Sequence, residues 1–62
     1  MRPYTHTRAT LVKVVIGVHF AVAYQIRVRG RVRYQTRNYP YGFTTAAQDD
    51  AREWAEQNGY QL

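Results

Sequence analysis

The sequence of 62 residues contains no cysteine and no serine. Without cysteine, disulfides and thiolate zinc sites are excluded, and without serine a Ser-His-Asp triad is excluded. Acids are scarce as well, since the only four are Asp49, Asp50, Glu53 and Glu56. The paired Asp49 and Asp50 fit the start of a helix better than an acid/base dyad, because the helix dipole favours acids there. We therefore expect a binding module and no enzyme.

The sequence also contains few residues that could form a metal or cofactor site. The two histidines, His6 and His19, would leave a metal ion two ligands short of a tetrahedral site. The sequence has no glycine-rich phosphate loop. We expect neither a metal nor a cofactor.

Long hydrophobic runs are also missing. The longest, residues 14–24, contains His19 and falls short of the ~20 residues of a membrane helix. The polar residues 1–8 do not lead into a signal-peptide pattern. Without cysteine or a leader, the expected location is a bacterial-type cytoplasm or the cytosol of a host cell, without a membrane partner.

The charges that are present lie unevenly along the chain. The formal net charge is +5, and every basic residue but Arg52 lies in residues 1–48, where there is no acid. These basic residues are Arg2, Arg8, Lys13, Arg27, Arg29, Arg31, Arg33 and Arg37. The segregation predicts an anionic partner for the basic body. A device for solubility or a head-to-tail assembly surface is the alternative.

The composition is that of one small folded domain over residues 1–62. Hydrophobic residues make up 45% and aromatic residues 15%, which is too rich for a disordered chain. Residues 1–8 are predicted to form a basic, flexible arm. A core of this size supplies only about 3–5 kcal/mol, so a homodimer is also considered.

Apolar residues alternate with others over a long stretch. The even-numbered positions hold Val12, Val14, Ile16, Val18, Phe20, Val22, Tyr24, Ile26 and Val28. This period of two predicts β-strands. Glycines at 17 and 30 divide the stretch, so we expect strands at about 9–16, 19–28 and 31–37.

The turn at Gly30 is predicted from the hydrophobic pattern. A three-residue loop, Arg29-Gly30-Arg31, aligns Val28 with Val32 and separates apolar from polar side chains. One face then carries Ile26, Val28, Val32 and Tyr34. The other carries Gln25, Arg27, Arg33 and Gln35.

A helix is predicted after the turn cluster at residues 38–42. Thr45 is a candidate N-cap, with Gln48 completing a capping box, and Asn58-Gly59 provides the stop. The apolar stripe of this helix consists of Ala47, Ala51, Trp54 and Ala55. The predicted fold class is α+β: a three-stranded antiparallel sheet with one C-terminal helix on its apolar face and Trp54 at the centre of the core.

The arginine-rich hairpin is the main candidate site. A two-stranded ribbon fits the major groove of duplex DNA, and arginine forks suit phosphates and guanine edges. Glutamines on the same face can contact adenine. The candidate nucleic-acid-binding residues are Gln25, Arg27, Arg29, Arg31, Arg33, Gln35 and Arg37, together with Arg2 and Arg8 of the arm. The alternative is an edge protected against aggregation by its charges.

The chain resembles the N-terminal arm-site-binding domain of phage-type tyrosine recombinases, whose shape is AP2-like. The resemblance rests on Tyr24–Arg29 before the turn, Arg31–Tyr34 after it, and Phe43-Thr44-Thr45 leading into Ala51–Ala55. It implies a sheet that enters the major groove with a helix packed behind. No recombinase catalytic domain accompanies these residues, so we expect an accessory factor or another small phage regulator.

A protein partner is the alternative from a different class. Small phage proteins of this size also inhibit host defence, as anti-CRISPR proteins do, by docking on a nucleoprotein complex. The residues for such an interface are Asp49, Asp50, Glu53, Glu56, Tyr39 and Tyr41. With only four acids, the chain offers little charge for imitating DNA.

Overall fold

A computed structural model describes residues 7–18 and 21–62. The strands are β1 (Thr7–Arg8), β2 (Thr10–Ile16), β3 (Ala21–Val28), β4 (Arg31–Gln35), β5 (Tyr39–Pro40) and β6 (Tyr60–Gln61). A 3₁₀ helix (Tyr41–Phe43) leads directly into the single α-helix, α1 (Thr44–Gln57). The two histidines, His6 and His19, lie outside the described residues, as does Arg2 of the predicted nucleic-acid-binding set.

The main sheet is antiparallel, and β3 is its central strand. β2 pairs with one side of β3, while β4 and then β5 pair with its other side. The prediction of an α+β fold with one helix near the C-terminus is confirmed. The sheet has four strands where three were predicted, because the chain returns to β3 at Tyr39–Pro40.

The core lies between β3 and α1. Ala47, Ala51 and Ala55 recur every four residues on one stripe of α1, and all three are buried. They pack on a buried cluster that includes Val22 and Ile26 of β3, both with no exposed surface. Because alanine side chains are single methyl groups, the helix approaches the sheet closely along this stripe.

Trp54 lies at the margin of the core, so its predicted central position was wrong. Its ring is only partly buried and stacks between two tyrosines. The ring centroid of Tyr34 is 4.6 Å away and that of Tyr60 is 5.4 Å away. Trp54 falls beside the alanine stripe, one residue before Ala55, and contacts Tyr34 of β4 and Tyr60 of β6.

The β2–β3 pairing places even-numbered residues on both sides of the sheet. Ile16 pairs with Ala21 and Val12 with Gln25, so residues of opposite parity share a side. Leu11, paired with Ile26, faces the helix, whereas Val12 and Val14 face away from it. The side of the sheet opposite α1, here called the open side, is therefore partly apolar.

The turn between β3 and β4 has two residues, so the predicted three-residue loop was wrong. Arg29 and Gly30 have φ angles of 54° and 81°. Positive φ at both positions is typical of the type I′ turn, whose twist matches that of the paired strands. Val28 consequently pairs with Arg31 and Arg27 with Val32.

A β-bulge at Arg33 then shifts the register by one residue. Beyond it Ile26 pairs with Tyr34 and Gln25 with Gln35, as the hydrophobic pattern predicted. An extra residue in one strand is what a bulge accommodates. Val32 lies on the open side with 49% of its surface exposed, which corrects its predicted place in the core.

The sequence predicted the C-terminal end of α1 correctly, but not its N-terminal end. The helix begins at Thr44, and its N-cap residue Phe43 makes no side-chain capping bond, so the predicted capping box at Thr45 was wrong. The Thr44 hydroxyl instead donates to the carbonyl of Tyr41 at 3.2 Å. The predicted stop is confirmed: Asn58 Nδ2 donates to the carbonyl of Trp54 at 2.8 Å, and Gly59 has a φ of 79°.

The two ends of the described chain lie side by side. β1 and β6 form a parallel pair in which Thr7 aligns with Tyr60. The amide of Ala9 donates to the carbonyl of Gln61 at 2.8 Å. Thr7 and Arg8, the last two residues of the arm predicted over residues 1–8, are therefore paired with the residues that follow α1.

Candidate nucleic-acid interface

The open side carries a hydrogen-bonded row of three polar side chains. Gln25 Nε2 donates to Gln35 Oε1 at 2.8 Å across the β3–β4 pair. Arg27 Nε donates to Gln25 Oε1 at 2.9 Å. Both bonds follow from the register, because Gln25 faces Gln35 directly and Arg27 is two residues further along the same side of β3. This row, Gln25–Arg27–Gln35, is here called the polar row.

The polar row still has donors and acceptors to offer to a ligand. Only Nε of Arg27 is used, and guanidinium carries five N–H donors, so both Nη groups remain without a partner in the described part of the chain. Gln35 uses only its Oε1 in the row, and its amide nitrogen makes no hydrogen bond to another described residue. The bonds within the row hold the three side chains in one arrangement before any ligand arrives.

Apolar residues flank the polar row on both neighbouring strands. Val12 of β2 is paired with Gln25, and Val32 of β4 is paired with Arg27. Val12 and Val14 are half-buried, and Val32 is half-exposed. The open side therefore combines guanidinium and amide groups with methyl groups.

Three other arginines of the hairpin surround a cleft at its end. Arg29, Arg31 and Arg33 line a cavity of about 440 Å³ together with Thr7, Val28 and Tyr60. Val28 and Tyr60 also pack against the core cluster, which places this cleft on the helix side of the sheet. Arg33, expected beside Arg27, lies here because of the bulge. This cavity is here called the arginine cleft.

The side chains of Arg29, Arg31 and Arg33 have no hydrogen bond or ion pair within residues 7–18 and 21–62. All three residues are exposed. Their guanidinium groups are therefore available to an anionic ligand.

The remaining predicted arginines lie apart from both groups. Arg37 is exposed, and its guanidinium lies 4.9 Å from the centroid of the Tyr39 ring. Arg8 is exposed in β1, where it aligns with Gln61. The structure thus brings Gln25, Arg27 and Gln35 together, separates them from the arginine cleft, and leaves Arg8 and Arg37 outside both.

Asp50 joins the helix to the sheet through two tyrosines. Its Oδ1 accepts a hydrogen bond from the Tyr34 hydroxyl at 2.7 Å, and its Oδ2 accepts one from Tyr39 at 2.7 Å. The hydrogen bond to Asp50, followed by burial and the charge of Asp50, raises the pKa of Tyr34 to about 12. This arrangement, here called the tyrosine clamp, had no signal in the sequence, because its members are distant along the chain.

The tyrosine clamp bears on the alternative protein interface. Asp50 and Tyr39 bond to each other and are both partly buried, so each exposes less of its side chain to a partner than the sequence alone suggested. Asp49, Glu53 and Glu56 are exposed on α1, and Tyr41 has 43% of its surface exposed. The acidic surface of the helix is thus smaller than the sequence suggested.

All four acids lie on α1, behind the sheet as seen from the open side. Among the described residues, no group of three or more His, Cys, Asp or Glu side chains is placed to hold a metal ion. None of the helices in that part of the chain has the length and hydropathy required to cross a membrane. A scan against protein-family models and searches of curated proteins and of solved structures find no match for this chain.

Proposed function

We propose that this protein is a small nucleic-acid-binding module that inserts the open side of its sheet into the major groove of duplex DNA. The observation that carries the proposal is the polar row, in which two amides and a guanidinium are aligned by mutual hydrogen bonds of 2.8 and 2.9 Å. These are the groups that read base edges: glutamine binds adenine and arginine binds guanine.

The geometry of the sheet supports this mode of binding. The major groove is about 12 Å wide and admits a β-ribbon. Paired strands lie about 4.8 Å apart, so the axes of β2, β3 and β4 together span about 10 Å and fit within that width. Val12 and Val32, which flank the polar row, present methyl groups that can contact the C5-methyl of thymine.

The distribution of charge supports the same orientation. The four acids of α1 lie on the far side of the sheet from the polar row, so they would face away from the phosphates of a bound duplex. Arg29, at the tip of the hairpin, is exposed and has a guanidinium free to contact the phosphate backbone. Such contacts position a protein on DNA, whereas the polar row would select its sequence.

A binding module of this kind would serve in a regulatory or accessory role. The resemblance to recombinase arm-site-binding domains leads us to propose a phage-type regulator or accessory factor. In that role the protein would mark a DNA site for other proteins.

The test is fluorescence anisotropy with labelled duplex DNA selected from a random-sequence pool by the protein itself. Arg27→Ala is expected to weaken binding about tenfold or more, because a bidentate contact to guanine contributes about 1–3 kcal/mol of discrimination. Arg52→Ala is the matched control, since it removes the same charge from an exposed position on α1. It is expected to change affinity far less.

Salt dependence separates base reading from general attraction. Affinity for the selected duplex should fall as salt rises, because phosphate contacts release counterions. If Arg27→Ala and Arg52→Ala weaken binding equally, base reading by the polar row is rejected. If no duplex binds even at low salt, the proposed function is rejected altogether.

A further inference from the structure

Apart from Arg29, the residues of the arginine cleft are not used by duplex binding on the open side. The cleft lies on the helix side, between the end of the β3–β4 hairpin and the β1–β6 pair. Arg29, Arg31 and Arg33 line it, and Val28 and Tyr60 contribute apolar surface. Its volume of about 440 Å³ falls in the range of small-molecule sites.

The positive charge of the arginine cleft favours an anionic ligand. Three like charges around one cavity repel each other, and no carboxylate lines the cavity. Of the four acids, Asp50 is held in the tyrosine clamp, and the other three are exposed on α1. A phosphate group matches this arrangement, because arginine forks bind its oxygens in pairs.

The apolar surface of the arginine cleft favours a ligand that carries an aromatic group in addition to the phosphate. Tyr60 lines the cleft while its ring stacks on Trp54, which in turn stacks on Tyr34. Because the Tyr60 ring is already held by Trp54, it loses little conformational entropy when a flat ligand packs near it. Nucleobases pack readily against aromatic side chains and arginine planes.

We propose that the arginine cleft binds a nucleoside phosphate, with the phosphate held by Arg31 and Arg33 and the base packed near Tyr60 and Val28. The phosphate is that of a free nucleotide or of the 5′ end of a nucleic-acid strand, which share this chemistry. The site is independent of the polar row, because the two lie on opposite sides of the sheet.

Trp54 provides a direct readout. It is the only tryptophan of the chain, and its ring centroid is 5.4 Å from that of Tyr60. Titration of the full chain with adenosine 5′-monophosphate should change Trp54 fluorescence in a saturable way, after correction for absorption by the base. Adenosine, which lacks the phosphate, should cause no saturable change, and inorganic phosphate should bind at least tenfold more weakly than the nucleotide.

Variants locate the site. Arg31→Ala and Arg33→Ala together should weaken nucleotide binding at least tenfold, whereas Arg27→Ala on the open side should leave it unchanged. Circular dichroism checks that each variant is folded, and Arg31→Lys, which keeps the charge but loses the fork, should give an intermediate loss. Duplex binding is measured on the same variants, so a failure of either site is seen separately.

Comparison of a mononucleotide with a 5′-phosphorylated oligonucleotide identifies the source of the phosphate. Tighter binding of a 5′-phosphorylated oligonucleotide than of the mononucleotide supports the proposal and identifies a strand end as the source. Equal binding of the two supports it with the free nucleotide as the source. An equal response to adenosine, equal affinity for inorganic phosphate, or no effect of the double variant would each overturn it.

Discussion

The two sides of the sheet are built from the same strand and have opposite characters. On the helix side, Val22 and Ile26 of β3 are fully buried beneath the alanines of α1. On the open side, Gln25 and Arg27 of the same strand belong to the polar row. The alternation of side chains along a strand produces this division, since neighbouring residues point to opposite sides.

This division suggests that the residues that stabilise the fold and the residues proposed to bind DNA lie on different sides of the sheet. Changes to the buried residues of the helix side should lower the free energy of unfolding, whereas changes to Arg27 and Val32 on the open side should leave the fold intact. The following predictions test that separation, from the largest expected effect to the smallest.

The largest effect is expected at Ile26, which has no exposed surface. Ile26→Ala should lower the free energy of unfolding by about 2–5 kcal/mol, because it removes buried methyl groups and leaves a cavity. Val32→Ala, on the open side and 49% exposed, should cost less than about 1 kcal/mol. Urea denaturation of both variants gives the comparison, and similar losses would contradict the division between the two sides.

The next effect concerns the close contact between α1 and β3. Ala51→Leu should lower the free energy of unfolding by about 1–3 kcal/mol, because Ala51 is fully buried and a larger side chain pushes the helix off the sheet. Ala46→Leu makes the same change at an exposed position of the same helix. It should alter stability by no more than about 0.5 kcal/mol. Thermal unfolding followed by circular dichroism measures both, and a well-tolerated leucine at position 51 would contradict the close packing.

Asp50 and Asp49 are adjacent acids with different surroundings. Asp50→Ala should cost about 1–3 kcal/mol, because two tyrosine hydroxyls lose a charged acceptor. Asp49 is exposed, so Asp49→Ala should change stability by no more than about 0.5 kcal/mol. Chemical denaturation distinguishes the two variants. Equal costs would show that the tyrosine clamp adds nothing beyond the charge of an acid on α1.

The smallest effect is expected from pH. Because the folded protein raises the pKa of Tyr34 from 10.0 to about 12, it holds this proton more tightly than the unfolded chain does. The resulting stability is complete below pH 10 and is lost as pH rises toward about 12. Tyr34→Phe removes the titrating group and should make the decline of stability over this window shallower. Denaturation midpoints measured across the window test this, and an unchanged slope in Tyr34→Phe would contradict it.

Local sequence signals predicted the elements better than the contacts between them. The strands of the hairpin, the alanine stripe of α1 and the stop at Asn58-Gly59 follow from periods and residue types within a few positions. The capping box at Thr45 did not form, because a 3₁₀ helix leads into α1 and the chain needs no side-chain cap there. Trp54 was expected at the centre of the core, yet its angular position on the helix puts it at the margin between Tyr34 and Tyr60.

Part of the candidate site could likewise be predicted from local sequence signals, and part could not. That Gln25, Arg27 and Gln35 share a side was predictable, because strand alternation and the pairing of Ile26 with Tyr34 require it. That Arg33 joins Arg29 and Arg31 around a cleft was not, since this depends on a bulge. A single extra residue in one strand changes where the side chains beyond it point.

The sequence by itself determined an antiparallel sheet with a helix behind it and a basic hairpin, because alternation, helical period and charge are properties of neighbouring residues. Only the tertiary structure decided which arginine faces which side, which even-numbered valines face away from the core, and that Asp50 meets Tyr34 and Tyr39. These outcomes depend on strand register and on the docking of α1. Both arise from packing between residues far apart in the chain, where local preferences do not choose among the alternatives.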